Sequence, residues 1–255
     1  MKERDYYRNG PDHRAGREID FALIRRHFDF KTIRIGRWVT AQEQRRAANH
    51  FFEALCDLMA ILRVPEAVIS LRGTLGLHYG TGGRPGVAAH YDAGQRVFAL
   101  AKNAGPGSIA HEWFHAFDHY IACQAFSGQA SGVFGSRAWL HDCQQISHPL
   151  NQRLYACYHR IMLNEDGSAP SELVQRSLAM DRQRGSRYYS LPEEVCARAF
   201  EAWVQDAVLK NQFLVKGTRQ SPEALSGLYP QGEIRKRINE AFSGYFYTLG
   251  YALSR

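Results

Sequence analysis

Two histidines lie one helical turn apart in the segment GSIAHEWFHAFDHY, at His111 and His115, with Glu112 next to the first. In a His-Glu-x-x-His pattern on a helix, two imidazoles bind one zinc ion and the glutamate is the general base of a hydrolase. On a helix with about 100° per residue, Asp118 and His119 fall on the same side as these residues, and the apolar residues fall outside that arc. The segment therefore predicts a zinc site in which Glu112 takes a proton and does not bind the metal.

An ordinary surface helix is the alternative interpretation of this segment. Its polar face would carry Lys, Glu and Gln. The predicted face carries instead three histidines, one glutamate and one aspartate, with neither Lys nor Arg. This composition favours the metal site. Because a structural zinc site needs four protein ligands and a hydrolytic site needs three and an open position, a further ligand must come from elsewhere in the chain.

The segment YYSLPEEVCARAFEAWVQD contains the best candidates for the third ligand. Pro192 is suited to the first turn of a helix. On that helix Glu194, Arg198 and Glu201 share one narrow polar stripe. We expect Glu194, in the first turn, to bind the metal, with Glu201 as the runner-up. The alternative is an internal Glu–Arg pair on a surface helix.

The same side chains predict a hydrolytic mechanism. Zinc lowers the pKa of a bound water and polarises the scissile carbonyl, and Glu112 would pass the proton of that water to the leaving amine. Either Asp118 or Glu201 is expected to fix a ligating histidine by bonding to its other ring nitrogen. The reaction also needs an oxyanion stabiliser. Four residues are candidates for it, the first two being preferred: Arg198, Tyr229, Tyr188 and Tyr189.

The elements that must position these residues follow from local patterns. The segment TAQEQRRAANHFFEALCDLMAILR has apolar residues at helical spacing, and Thr40 with Glu43 predicts a capping box at its start. Three short segments predict strands, AVISL, LGLHY and RVFALA, and GTGGRPG predicts a turn. Ser108 is the expected N-cap of the helix that carries the two histidines. We expect RVFALAKN to form the edge of the cleft, where a substrate peptide could add a strand.

Composition and cysteine use bound the class of protein. The chain has 255 residues, of which 45% are hydrophobic and 22% charged, as is ordinary for a globular domain. It lacks an apolar run of about 18 residues, so we expect no membrane partner, and its first residues lack the apolar core of a secretory signal. Five scattered cysteines without a CxxC pair predict reduced thiols and a cytoplasmic protein.

The N-terminal segment is basic. Residues 1–46 hold twelve Lys or Arg against seven Asp or Glu, within a net charge of +7 for the whole chain. We interpret residues 1–30 as a basic, partly mobile arm and residues 31–255 as a single domain. The arm could contact nucleic acid, although a solvated surface explains the same charge.

Four segments are similar to one known family: LHYGTGGRPGVAAHYD, RVFALAKNAGPGSIAHEWFHAFDHY, YYSLPEEVCARAFEAWV and NQFLV…LYPQG. They resemble the zincin-like metallopeptidase domains of large polyvalent proteins of phages and conjugative elements. The segment IGRWVTAQEQ is similar as well to CLCA_X, a bacterial family of short stand-alone proteins. This resemblance implies a metallopeptidase-like fold, with the family's glutamate ligand at Glu194. Phe114 stands where these domains often have Gly. More distant relatives include anti-restriction proteins with a zincin domain and SprT-like proteases that act on DNA-bound proteins.

These features together predict an α+β, zincin-like domain in which a small sheet packs on helices that include the HExxH helix. The predicted function is that of a zinc-dependent metallopeptidase of gluzincin type acting on a protein or peptide substrate, with His111, His115 and Glu194 as zinc ligands and Glu112 as base. The alternative is a nucleic-acid-associated or anti-defence binding protein that keeps a structural or vestigial zinc site. Salt-dependent DNA binding without proteolysis would favour that alternative.

Overall fold

The computed structural model describes residues 6–81, 89–102, 107–128 and 132–254. Within these residues a four-stranded sheet packs on helices, so the predicted α+β class is confirmed. The strands are β1 (Thr32–Ile35), β2 (Gly76–Tyr79), β3 (Ala89–Asp92) and β4 (Val97–Leu100). The helices are α1 (Phe21–Phe28), α2 (Ala41–Leu62), α3 (Glu66–Ile69), α4 (Ile109–Ala125), α5 (Gly135–Leu140), α6 (Pro149–Met162), α7 (Glu172–Arg184), α8 (Pro192–Asp206), α9 (Pro222–Leu225) and α10 (Gly232–Leu253).

The sheet has the strand order β1-β2-β4-β3. β1, β2 and β4 are parallel, and β3 pairs antiparallel with β4. The strand predicted from RVFALA is therefore β4, but the prediction that it forms the cleft edge is wrong. It is bonded on both sides, and β3 is the edge strand next to α4. The turn predicted for GTGGRPG lies mostly outside the described residues.

Helix α2 begins as the sequence predicts. The Thr40 hydroxyl accepts a hydrogen bond from the Glu43 amide at 3.3 Å, and the Glu43 carboxylate accepts one from the Thr40 amide at 2.9 Å. This capping box satisfies amide groups that the first turn leaves without a helical partner. The apolar face of α2 then lies in the core.

The segment AVISL forms no strand, and that prediction is wrong. Pro65 comes directly before the short helix α3, and the chain continues into tight turns with positive φ at Leu71 and Arg72. A short apolar run does not distinguish a strand from a buried helical turn, because both bury the same side chains. The local patterns also do not predict β1, which has only four residues.

The N-terminal segment packs on the rest of the molecule over its described residues. Phe21, Ile24 and Phe28 of α1 are buried in the core. Before α1, the Arg8 guanidinium donates two hydrogen bonds, of 2.6 and 2.8 Å, to the buried Asp57 carboxylate on α2. The structure therefore differs from the predicted boundary at residue 30, because α1 supplies apolar side chains to the domain core.

The cysteines and the helix compositions agree with a protein that folds around one apolar core. All five cysteines are free, and three of them are buried: Cys56, Cys157 and Cys196. Among the described residues, none of the helices combines the length and apolar character needed to cross a membrane.

Candidate metal centre

Helix α4 carries the HExxH segment and is oriented by its aromatic face. Trp113 and Phe114 are fully buried and pack on Phe200 of α8, with ring centroids 5.6 and 4.9 Å apart. Phe114 also contacts Phe242 of α10 at 5.9 Å. Since these rings fix one side of α4 against α8 and α10, the opposite side, with His111 and His115, is turned toward a cavity.

The start of α4 is held differently from the prediction. The helix begins directly after Ser108, but the Ser108 side chain makes no capping hydrogen bond. The segment that follows α8 supplies backbone acceptors instead. Gly107 donates to the Phe213 carbonyl at 3.2 Å, and Ala110 donates to the Leu214 carbonyl at 3.1 Å. The first turn of the metal helix is thereby attached to a loop about a hundred residues further along the chain.

Helix α8 begins at Pro192, as predicted, and lies almost wholly inside the protein. Glu194, Arg198 and Glu201 are 8%, 5% and 5% exposed. The alternative of a surface Glu–Arg pair therefore does not describe this helix. A buried carboxylate is costly unless charge or hydrogen bonding compensates it, so the partners of these side chains define the site.

Two imidazoles and one carboxylate converge between α4 and α8. His111 Nε2 lies 3.0 Å from His115 Nε2 and 3.3 Å from Glu194 Oε2, and His115 Nε2 lies 3.2 Å from Glu194 Oε1. Ligand atoms around a tetrahedral zinc ion, at bond lengths of about 2.0–2.1 Å, stand about 3.3 Å apart. The three predicted ligands thus fit zinc. Among the described residues they form the one group of His, Cys, Asp or Glu with this convergence.

The local field at this cluster is negative. Burial alone would lower the pKa of His111, but the charge of Glu201 and hydrogen bonds to Glu194 and Glu201 raise it well above its usual value. Burial alone would raise the pKa of Glu194, but the adjacent His111 and His115 hold it far below its usual range. Glu194 is therefore ionised, and the surroundings of the histidines stabilise a cation.

Glu201 contacts the outer nitrogen of a predicted ligand. Its Oε2 lies 2.9 Å from His111 Nδ1 and accepts a hydrogen bond of 3.1 Å from the Tyr229 hydroxyl. A carboxylate in this position fixes the orientation of the imidazole and leaves Nε2 free to bind a metal. This is the supporting role that the sequence suggested for Glu201, and it places Glu194, not Glu201, in the ligand cluster.

Asp118 does not take the predicted place behind a histidine. Its carboxylate accepts hydrogen bonds from the Ser136 amide at 2.9 Å, the Ser136 hydroxyl at 2.6 Å and the Tyr158 hydroxyl at 2.6 Å. Burial raises the pKa of Asp118 to about 6, although these donors lower it. The side chain instead ties α4 to α5 and α6, while the Nδ1 atom of His115 is buried without a hydrogen-bond partner.

Arg198 does not reach the cavity as an oxyanion stabiliser would. It donates to the Leu228 carbonyl at 3.0 Å, to the Ser177 hydroxyl at 3.3 Å and to the Tyr189 carbonyl. Its nearest approach to Glu194 is 3.9 Å. Nε and Nη2 thus hold neighbouring loops, and Nη1 is the nitrogen that approaches Glu194.

Glu112 lies at the wall of a cavity of about 720 Å³ that both histidines and Glu194 also line. Burial raises the pKa of Glu112 above its usual value, and His111 and His115 counter this in part. A carboxylate with a raised pKa beside an open cavity is suited to take and return a proton near neutral pH.

Tyr188 and Tyr229 line this cavity, whereas Tyr189 does not. The proton of the Tyr229 hydroxyl is donated to Glu201. Burial, followed by the charge of the adjacent Glu194, raises the pKa of Tyr188, so its hydroxyl stays protonated. Tyr188 lines the cavity beside Glu194, and a hydrogen bond to the Glu194 carboxylate also contributes to its raised pKa.

Other residues at the site had no signal in the sequence. Phe134 packs its ring against His115 and His119, at 5.9 and 5.6 Å. Arg137 pairs with Glu193, which the structure buries beside the cavity. These contacts join segments far apart in the chain. Only the HExxH helix itself marks the region, since none of these residues belongs to a recognisable local motif.

His119 lies near the cavity but outside the ligand cluster, although it falls on the same side of α4 as the two predicted ligands. Its Nδ1 is 2.7 Å from the Tyr91 hydroxyl on β3. Burial lowers the pKa of His119, which favours the neutral ring, and a neutral ring can accept a hydrogen bond from the Tyr91 hydroxyl. This bond attaches the edge strand to the metal helix.

Residues 180–253 match the sequence family described as large polyvalent protein-associated domain 1. The predicted resemblance to domains of large polyvalent proteins is confirmed over this segment. It contains α8, α9 and α10 but not α4. No curated protein and no solved structure matches the chain. The candidate metal centre therefore joins one helix inside the matched segment to one helix that precedes it.

Proposed function

We propose that the chain is a zinc-dependent peptidase with a zincin-like fold of gluzincin type. His111, His115 and Glu194 hold the metal, and Glu112 is the general base. One observation carries the proposal: on the wall of a cavity that Glu112 also lines, the Nε2 atoms of His111 and His115 lie 3.0 Å apart, and each lies 3.2–3.3 Å from one oxygen of the Glu194 carboxylate. Three ligands and an open side are the arrangement of hydrolytic zinc sites.

The proton chemistry follows from the chain's own groups. A bound zinc ion would polarise the scissile carbonyl and lower the pKa of the attacking water. Glu112 accepts the proton of that water and then gives it to the leaving amine. Glu201 holds the His111 ring from behind at 2.9 Å. The Tyr188 hydroxyl, which lies beside Glu194 at the cavity, would turn from that carboxylate to donate a hydrogen bond to the developing oxyanion.

The edge strand supplies a binding surface for the substrate backbone. Ala89, His90 and Tyr91 of β3 line the same cavity as the metal ligands. Among the residues that the structure describes, β3 pairs with β4 and has no strand on its other side. Its other side can therefore accept an extended peptide as an added strand, and that peptide would then cross the metal centre.

A binding protein with a structural zinc site is the competing function. A structural site is closed by four protein ligands, whereas the convergent group has three among the described residues. The cavity beside the cluster also supports hydrolysis, because it leaves room for a substrate.

The experiment separates metal binding from catalysis. Purified protein is expected to hold about one zinc per chain by elemental analysis, and His111→Ala should lose the zinc and melt at a lower temperature. Glu112→Gln should keep the zinc and the fold but lose about 10²–10⁴-fold in the rate of cleavage of a quenched-fluorescence peptide library. Zinc retained by His111→Ala, or full activity of Glu112→Gln, would reject the proposal.

A further inference from the structure

A second cavity, of about 470 Å³, adjoins the metal-centre cavity. It is formed by the N-terminal segment and by the end of α8 with the loop that follows it. Lys216 lines both cavities, so the two meet at this residue. We call it the basic cavity, after its cationic lining residues: Lys210, Lys216 and Arg219.

The walls of the basic cavity are fixed by backbone hydrogen bonds. The Gln212 amide donates to the Tyr7 carbonyl at 2.9 Å, and the Asn9 amide donates to the Lys210 carbonyl at 3.0 Å. The Lys210 amide in turn donates to the Asn9 side chain at 2.6 Å. Because the same loop holds the first turn of α4, the two cavities share one supporting segment.

The positive charge of the basic cavity is not neutralised internally. Asp206, its one lining carboxylate, already accepts two bonds from Arg235, of 2.7 and 2.8 Å, and one of 2.8 Å from Arg219. Neither Lys210 nor Lys216 forms an ion pair with a carboxylate in the part of the chain that the structure describes. Lys210 Nζ donates to the Gln205 carbonyl at 2.8 Å, which leaves two of its protons for a ligand.

The metal-centre cavity is lined by four carboxylates: Glu112, Glu193, Glu194 and Glu201. The basic cavity is lined by one, Asp206, which is already paired with arginines. An anionic side chain is therefore attracted to the basic cavity by the ammonium groups of Lys210 and Lys216. Apolar side chains of Leu209 and Val215 also line the basic cavity. A carboxylate on a short apolar stem fits this lining better than a row of phosphates, which needs a row of cations.

We propose that the basic cavity binds an aspartate or glutamate side chain of the polypeptide held at the metal centre. The protein then cleaves preferentially at a fixed distance from an acidic residue. This inference rests on the proposed function, because it takes the substrate to be a polypeptide. Nucleic acid is the competing occupant, and the experiment includes it.

The test is cleavage of tryptic peptides from a denatured bacterial lysate by the zinc-loaded full chain, with products sequenced by mass spectrometry. Cleaved peptides are expected to be enriched in Asp or Glu at one fixed position. The double variant Lys210→Met with Lys216→Met should lose the enrichment and cleave those peptides about tenfold more slowly, since two exposed ion pairs are removed. Lys236→Met, which removes a charge on the outer surface of α10, is the matched control and should behave as the wild type.

The outcomes separate this proposal from the peptidase proposal. If cleavage shows no preference for acidic residues, or if the double variant keeps that preference, the basic-cavity proposal is wrong and the peptidase proposal is unaffected. If no peptide is cleaved, the peptidase proposal fails. In that case, the same peptides are applied to immobilised protein at low salt. If the bound peptides are enriched in Asp or Glu and the double variant loses this enrichment, the basic cavity is supported. If there is no such enrichment, the basic-cavity proposal is overturned. Binding of a 20-nucleotide poly-dT strand that the double variant loses, without acidic enrichment, assigns the cavity to nucleic acid instead.

Discussion

Two buried charged clusters in this molecule differ in how their polar atoms are satisfied. At Asp57, each carboxylate oxygen accepts two bonds: Arg8 and His13 donate to one, and Arg8 and Asn211 donate to the other. At the metal centre, the Nε2 atoms of His111 and His115 face each other and the Glu194 carboxylate, and the Nδ1 atom of His115 lacks a hydrogen-bond partner. A cluster that satisfies itself stabilises the fold, whereas one that leaves converging lone pairs is suited to bind a ligand.

The sharpest test of this difference replaces each of the two glutamates of α8 by alanine in turn. Glu194→Ala removes a ligand atom, so zinc affinity should fall by roughly a thousandfold. Glu201→Ala removes only the support behind His111, and zinc affinity should fall by about 10–100-fold. Competition with a chromophoric chelator measures both, with circular dichroism as the check on folding. If Glu201→Ala lost more zinc affinity than Glu194→Ala, then Glu201 would be the ligand and Glu194 the supporting residue.

The Asp57 cluster should show the opposite behaviour. Arg8→Met leaves a buried carboxylate with less compensation, so the free energy of unfolding should fall by about 3 kcal/mol. Zinc affinity should not change, since the cluster lies apart from the ligands. Arg17→Met is the matched control, because the Arg17 side chain bonds only to the nearby Arg14 carbonyl and should change stability little. Urea unfolding of each variant measures the change in the free energy of unfolding. A loss of zinc affinity in Arg8→Met would show that the two clusters are coupled.

The half-buried carboxylate of Glu43 is expected to show the smallest effect in this comparison. Hydrogen bonds from Lys102 and Thr40 lower the pKa of Glu43 to about 2. Its folded pKa lies below its unfolded value, so its contribution to stability is full above about pH 4.5 and is lost as the pH falls toward 2. Glu43→Gln should therefore narrow the difference in Tm between pH 5 and pH 3 by a small amount. An unchanged difference would show that the capping box does not depend on charge.

Helical periodicity predicted that His111, His115 and Glu194 could converge, because it depends only on local geometry; their role as ligands stays a prediction. His111 and His115 must share a face if the segment is a helix, and Glu194 must lie in the first turn after Pro192. The same periodicity misassigned Arg198 and Asp118. It gives the direction of a side chain around its own helix but not the element that lies there. For Arg198 that element is the loop carrying Leu228, and for Asp118 it is the start of α5.

Sheet topology was the other part that the sequence did not determine. β4 was recognised as a strand, but its place between β2 and β3 depends on pairings that no local pattern encodes. The zincin-like fold and the zinc itself stay predictions. The basic cavity likewise arises from the N-terminal segment meeting a loop some two hundred residues later, as in the bond between Asn9 and Lys210.

The separation of the ligands along the chain has a consequence for when the metal can be acquired. His111 and His115 leave the ribosome roughly 80 residues before Glu194, which at about 5–20 residues per second is on the order of 4–16 s. During that interval the nascent chain has only two of its three ligands, on a helix whose aromatic face still lacks Phe200. Under the proposed function, tight zinc binding requires the docking of α8, so the metal would enter a nearly finished protein and would not direct the earliest steps of its folding.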